Sequence, residues 1–146
     1  MIRSFAQALY NYLKTKHPSL PPFSYQLGMQ STDSLIFTNN RYNGVKYFDD
    51  NYHYISYVIR LYSPKMNHSL QWDLCVELEN TLKSLSGWKC FVNQDDYIVD
   101  SVSLNGLQGV DYRLNTLDLE SYNDSSQCYQ LTIDLILRKE NHEKNK

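Results

Sequence analysis

Glycine and proline are scarce, with 5 and 4 residues among 146. That shortage excludes a linker-rich or low-complexity chain, and no internal repeat is found. Charge of one sign is also missing. The formal net charge is −2, too small for the chain as a whole to hold nucleic acid. No apolar run reaches the roughly 18 residues of a membrane helix. The start, Met1-Ile2-Arg3-Ser4-Phe5, has no charged region followed by an unbroken apolar stretch, so no signal peptide is expected. The three cysteines, Cys75, Cys90 and Cys128, are odd in number and show no CxxC spacing. They read as small buried hydrophobes in a reducing compartment, and the protein is expected to be soluble and made in a cytoplasm.

Motifs of chemistry are missing as well. Nucleophilic catalysis needs a Ser or Cys held by an oriented base, and there is no GxSxG. HExxH, CxxC and the DxDxDG calcium loop are absent, as are the glycine-rich phosphate cradles GxxxxGK and GxGxxG. No enzyme activity, metal or cofactor is expected on these grounds. The nearest approach to a metal site is Asp95-Asp96 with Asp100, acids that read as a hydrated loop. Among the four histidines, His17 abuts a proline, His142 is in the tail, His68 is at a helix start and His53 opens a tyrosine-rich strand. A small enzyme pairing His53 with acids at 95–100 is the one catalytic alternative.

What is present is a packed sheet. Tyr129, Leu131, Ile133, Leu135 and Leu137 fall on one side of a strand; Gln130, Thr132, Asp134 and Arg138 fall on the other, with Ile136 the lapse. Such alternation predicts a long strand with one buried and one wet face. A second long strand, 52–62, would put Ile55, Tyr57, Ile59 and Leu61 on one face. Ile2, Phe5, Ala6, Leu9, Tyr12 and Leu13 recur at helical spacing, and Pro18 stops that helix near residue 16. Leu70, Leu74, Leu78, Leu82 and Leu85 form the stripe of a second helix, with Glu79 and Lys83 an i,i+4 pair and Gly87 placed to close it. Shorter strands are predicted at 34–38, 45–48 and 97–104, with an apolar stretch at 88–92 and one irregular strand near 110–117 within a turn-rich 105–126. The fold class is therefore α+β: an antiparallel or mixed β-sheet of about four to five strands packed against two amphipathic helices. Residues 1–138 form a single domain, and 139–146 are expected to be a charged, disordered C-terminal tail.

Two composition features invite a functional reading. Residues 93–124 carry seven acids against the single base Arg113, a local balance of −6. They form either a solvated loop region or a surface that repels an anion such as passing DNA. Of thirteen tyrosines, Tyr42, Tyr47, Tyr52, Tyr54, Tyr57 and Tyr62 cluster within 21 positions. They suit a sheet core or a protein interface. Base stacking is less favoured, because only Lys46 and Arg60 interleave with them.

The element order resembles a known family. The residues concerned are the helix Ile2–Leu13, the strand Leu35–Phe37, Arg41-Tyr42-Asn43-Gly44, the strand Tyr54–Tyr62, the helix Leu70–Leu85 closing near Gly87-Trp88, and the terminal strand Gln127–Arg138. Together they are similar to the small tail-terminator or minor capsid proteins of long-tailed bacteriophages. The resemblance spans roughly 2–138, and the stretch 105–126 departs from it in length and composition. It implies a hexameric ring that caps the tail tube, joins the tail to a head-completion or connector protein, and lets DNA pass without specific binding. The protein would then reside in the virion, at the head-tail junction. Asp95, Asp96, Asp118 and Glu120 become candidate lumen-facing acids, and Tyr42, Tyr47 and Phe48 candidate subunit-interface residues. The alternatives are a joining or minor capsid protein without a capping role, and a tyrosine-rich module binding a sugar, peptide or base.

Overall fold

A computed structural model of the chain describes residues 2–25, 33–39, 46–49, 51–63, 68–111 and 127–140; for 46–49, 68, 106–111 and 127–128 it describes the backbone alone. The elements run α1 (Ile2–Lys16), β1 (Phe23–Tyr25), β2 (Ser34–Asn39), β3 (Lys46–Asp49), β4 (Tyr52–Tyr62), α2 (His68–Lys83), β5 (Lys89–Val92), β6 (Asp95–Asp111) and β7 (Gln127–Lys139). The class is α+β, with two helices on a mixed sheet. Among the described residues the sheet has seven strands, more than the four to five expected. Six follow the order β1-β2-β4-β7-β6-β5, and β3 pairs with β4 off that path. Only β1 and β2 run parallel; the other pairs are antiparallel.

Most of the extra strands are short. β1 is three residues long, below the length at which alternation becomes readable. β6 is longer than its sequence suggests, at 17 residues. Residues 105–111, expected to be turn-rich, continue as strand because β7 supplies a long partner. The ladder absorbs the misfit as register shifts between Val99 and Ser101 and between Asn105 and Gln108. Residues 112–117 of the irregular strand expected near 110–117 lie outside the described residues, as do 141–146 of the tail. Lys139 belongs to β7 and pairs with Tyr97.

The two long strands set the frame. Tyr52–Tyr62 pair with Arg138–Cys128 without a register shift. Ile55, Tyr57, Ile59, Leu61, Leu131, Ile133, Leu135 and Leu137 are all buried, so the predicted apolar faces coincide. Both helices contribute to the core on that face. In α1 the buried side chains are Phe5, Ala6, Leu9, Tyr10 and Leu13. Tyr10 takes the place expected for Tyr12: its hydroxyl donates to the Pro21 carbonyl at 2.7 Å, while half-buried Tyr12 packs on Trp88 at 5.0 Å. The helix ends where His17 N–H donates to the Leu13 carbonyl, one of those a helix end leaves open, and Lys14 Nζ donates to the Pro18 carbonyl in the turn that follows. His17 also ties α1 to α2, with Nε2 2.8 Å from Thr81 Oγ1 and Nδ1 3.6 Å from Glu77.

Leu74, Leu78 and Leu82 of α2, with Leu85 just past its end, are buried, but Leu70 is 61% exposed. The stripe therefore begins one turn before the helix reaches its cover. Gln71 is buried there and donates to the Leu61 carbonyl at 3.2 Å. The predicted Glu79–Lys83 pair is formed at 3.5 Å. Gly87 has φ 91, a conformation glycine adopts without cost. Its N–H donates to the Val99 carbonyl at 2.8 Å, so the chain leaves the helix and enters the β5–β6 ladder at once.

Strands β5 and β6 form a hairpin whose two-residue turn, Asn93-Gln94, has φ of 52 and 70. Positive φ at both central positions is the turn whose twist matches the flanking strands. Asparagine tolerates that region; glutamine does so at a cost of roughly 1–2 kcal/mol. Gln94→Gly is therefore expected to stabilise the fold by about 1 kcal/mol. Urea unfolding should show a higher midpoint at unchanged slope; an unchanged or lower midpoint would remove the turn strain from the account.

Candidate interaction surfaces

The acids named from sequence do not behave as a run. Asp95 and Asp96 open β6 directly after the hairpin turn, in strand and not in a loop. Cations distant in sequence fold beside them. Lys139 Nζ lies 3.4 Å from Asp95, Lys89 Nζ 3.5 Å from Glu140, and Arg138 Nε 3.8 Å from Asp100. At this corner the four carboxylates of Asp95, Asp96, Asp100 and Glu140 face three cations, Lys89, Arg138 and Lys139, which leaves one net negative charge. Each pair is partly exposed, so each contributes little stability; their effect is to flatten the local field. Asp118 and Glu120 lie outside the described residues.

The tyrosine cluster divides. Tyr57 and Tyr62 are buried, at 0% and 5% exposure, and Tyr52 and Tyr54 are half-buried. Tyr57 is the hub of an aromatic core: it stacks on Phe5 at 6.3 Å, meets Phe37 edge-on at 5.7 Å, and its hydroxyl donates to the Ile2 carbonyl. Burial raises its pKa far above the ordinary tyrosine value, so the hydroxyl remains a donor. Tyr54 is hydrogen-bonded to Asp134, and burial, ahead of that bond, raises its pKa. None of these four stands out as a stacking platform for a ligand. Tyr47 and Phe48 lie in β3, where Tyr47 is in register with His53. Their side chains, and all of Tyr42, lie outside the described residues.

The catalytic alternative meets a physical obstacle. The fold does bring His53 toward the acids: its ring stands edge-on to Tyr97 at 5.3 Å, and Asp95 and Lys139 both act on it electrostatically. Yet His53 is only 7% exposed, and burial, aided by Lys139 and opposed by Asp95, lowers its pKa. Cys90, in register with Tyr97, has its thiol pushed up to about 11 by burial and by Asp96. A general base needs access to the proton it takes, and a nucleophilic cysteine needs its thiolate. Neither condition is met here.

The face of β4 and β7 away from the helices is not simply wet. Gln130, Thr132, Asp134, Ile136 and Arg138 are all half-buried. Ser56 Oγ donates to Asp134 Oδ1 at 2.5 Å, and Arg60 Nε donates to Gln130 Oε1 at 3.0 Å. Both are directly opposed cross-strand pairs, the unit by which sheets gain side-chain stability.

Three large apolar side chains are exposed among the described residues: Leu70 at 61%, Trp72 at 44% and Phe91 at 67%. Trp72 lies edge-on to Tyr129, at the start of β7, at 5.3 Å. Leu70 borders a groove of about 310 Å³ lined also by Ser19, Asp73, Leu74 and Glu77. Phe91 lies on the edge strand β5, in register with Asp96, close to the end of β7, where Lys139 pairs with Tyr97. The two ends of β7 are roughly 40 Å apart at strand spacing. Sequence reading missed these residues. The helical stripe assigns Leu70 to the core, and Phe91 sits in a short apolar run. The available signal was alternation, since Cys90 and Val92 point inward and Lys89 and Phe91 point out.

No family model matches the chain, and no curated protein matches it. One solved structure, whose name states no function, is similar over 96% of this chain and 93% of its own, at 13% identity and a TM-score of 0.50. That likeness concerns the fold alone.

The His53 environment has a measurable consequence. The folded state binds a proton at His53 less readily than the unfolded chain does. The contribution of the neutral ring is complete above the unperturbed value near 6.5 and is lost as pH falls below it. Stability should therefore decline between pH 7 and 5, and His53→Phe should flatten that decline. Equal slopes in denaturant titrations of the two proteins would show that His53 is not the titrating group.

Proposed function

We propose that the chain is a structural virion protein, resembling a bacteriophage tail terminator, that assembles as a ring, caps the tail tube and joins the tail to the head connector. The observation that supports it most is the order and facing of the elements. An N-terminal helix and a second helix following the long β4 contribute to one core on a single sheet closed by a long terminal strand. A closed ring also requires two unlike surfaces on each subunit. Exposed apolar side chains near opposite ends of the sheet are compatible with that requirement.

In this reading the protein works through its interfaces and catalyses no reaction. Its partners are copies of itself, the tube protein and the connector protein, and DNA passes through the central hole without specific binding. Tyr42, Tyr47 and Phe48 are proposed for a subunit contact. Asp95, Asp96, Asp118 and Glu120 are proposed for the lumen, where carboxylates discourage adhesion of DNA phosphates.

Electron microscopy of the purified protein, alone and with tube protein, should show six-fold rings; a strict monomer under both conditions would sink the proposal. Replacing the four named acids with lysine should block genome passage while leaving ring assembly intact. Normal ejection by the variant phage would withdraw the lumen assignment.

A further inference from the structure

The groove at the start of α2 and the exposed side chain on β5 have complementary chemistry. Leu70 and Leu74 give the groove apolar walls, and Asp73 and Glu77 make it acidic. Phe91 is 67% exposed on an edge strand, with Lys89 on the same outward side. Among the described residues the Lys89 ammonium is paired with Glu140 at 3.5 Å, with its own side chain 70% exposed. A pair this exposed exchanges partners at little cost. Glu77 is likewise 64% exposed at its side chain despite its contact with His17.

We propose that Phe91 of one subunit seats in the Leu70–Glu77 groove of the next, with Lys89 meeting Asp73 and Glu77. This rests on the ring reading and specifies one of its contacts. The geometry favours a second copy of the chain as occupant. A peptide of apolar and basic character would fit the groove, and the chain itself displays such a segment at a different place on its surface. A projection and a groove on separate patches make a head-to-tail contact, which closes into a ring when the rotation permits. Trp72 lies against Tyr129 and is not needed for the contact.

The test places a photo-crosslinking amino acid at position 91 of the full chain and maps the products by mass spectrometry, with and without tube protein. The expected product joins position 91 to the 70–77 peptide of another subunit. Phe91→Asp and Leu70→Asp should each weaken self-association by roughly tenfold or more, as loss of an interface anchor does. Both sites are exposed, so the variants should fold. Mixed together, they should form a dimer and nothing larger, because each retains one intact half of the contact. Cross-links to another region or to tube protein, or rings that persist in both variants, would overturn the contact and leave the ring reading standing. A wild-type chain that never multimerises would overturn both.

Discussion

The antiparallel ladder between β4 and β7 is the constraint on which the rest of the structure depends. Its eleven residue pairs run from Tyr52↔Arg138 to Tyr62↔Cys128 without a shift. A slip of one residue would turn every apolar side chain of one strand to the opposite face. With the register fixed, Ile55, Tyr57, Ile59 and Leu61 lie with Leu131, Ile133, Leu135 and Leu137 on one surface, and both helices have one place to bury their own apolar sides. Tyr57 shows how local the coupling is. One ring stacks on α1 through Phe5, meets β2 through Phe37, and donates to the first residue of α1.

Elements that carry their own periodicity were legible in the sequence. α1, β4 and β7 each run long enough for one face to repeat several times. What was not legible depended on a partner. Residues 105–111 have turn composition yet extend β6, because β7 offers them a ladder. β1 is three residues whose strand character comes from pairing with β2. Leu70 continues a perfect leucine spacing, but the helix overruns its cover, and a one-dimensional pattern cannot show where cover ends. The tyrosine cluster failed as a unit for the same reason: period two along β4 sends Tyr57 to the core and Tyr52 and Tyr54 to the other face.

The acidic segment teaches the same lesson in electrostatics. A charge run along the chain becomes a field only if its neighbours in space leave it unbalanced. Lys89 precedes the segment, and Arg138 and Lys139 lie beyond its end, yet all three fold against the hairpin corner. Asp95 therefore presents a half-neutralised pair to solvent. A repulsive wall, where one exists in an assembled ring, has to be built by repeating such corners around an axis.

The distribution of apolar exposure is the part of the molecule that folding does not explain. The helix-facing surface of the sheet is sealed by the core, and the opposite face of β4 and β7 is half-buried and cross-linked by Ser56–Asp134 and Arg60–Gln130. Nothing in the ladder requires Phe91 to be outward and bare, since a lysine or threonine would serve an edge strand better and would discourage unwanted pairing. Leu70 could likewise be polar without loss to the buried stripe that begins at Leu74. The two side chains lie on different elements, Phe91 on the edge strand β5 and Leu70 in the first turn of α2. In the proposed ring they would serve as the two unlike surfaces that each subunit turns to its two neighbours.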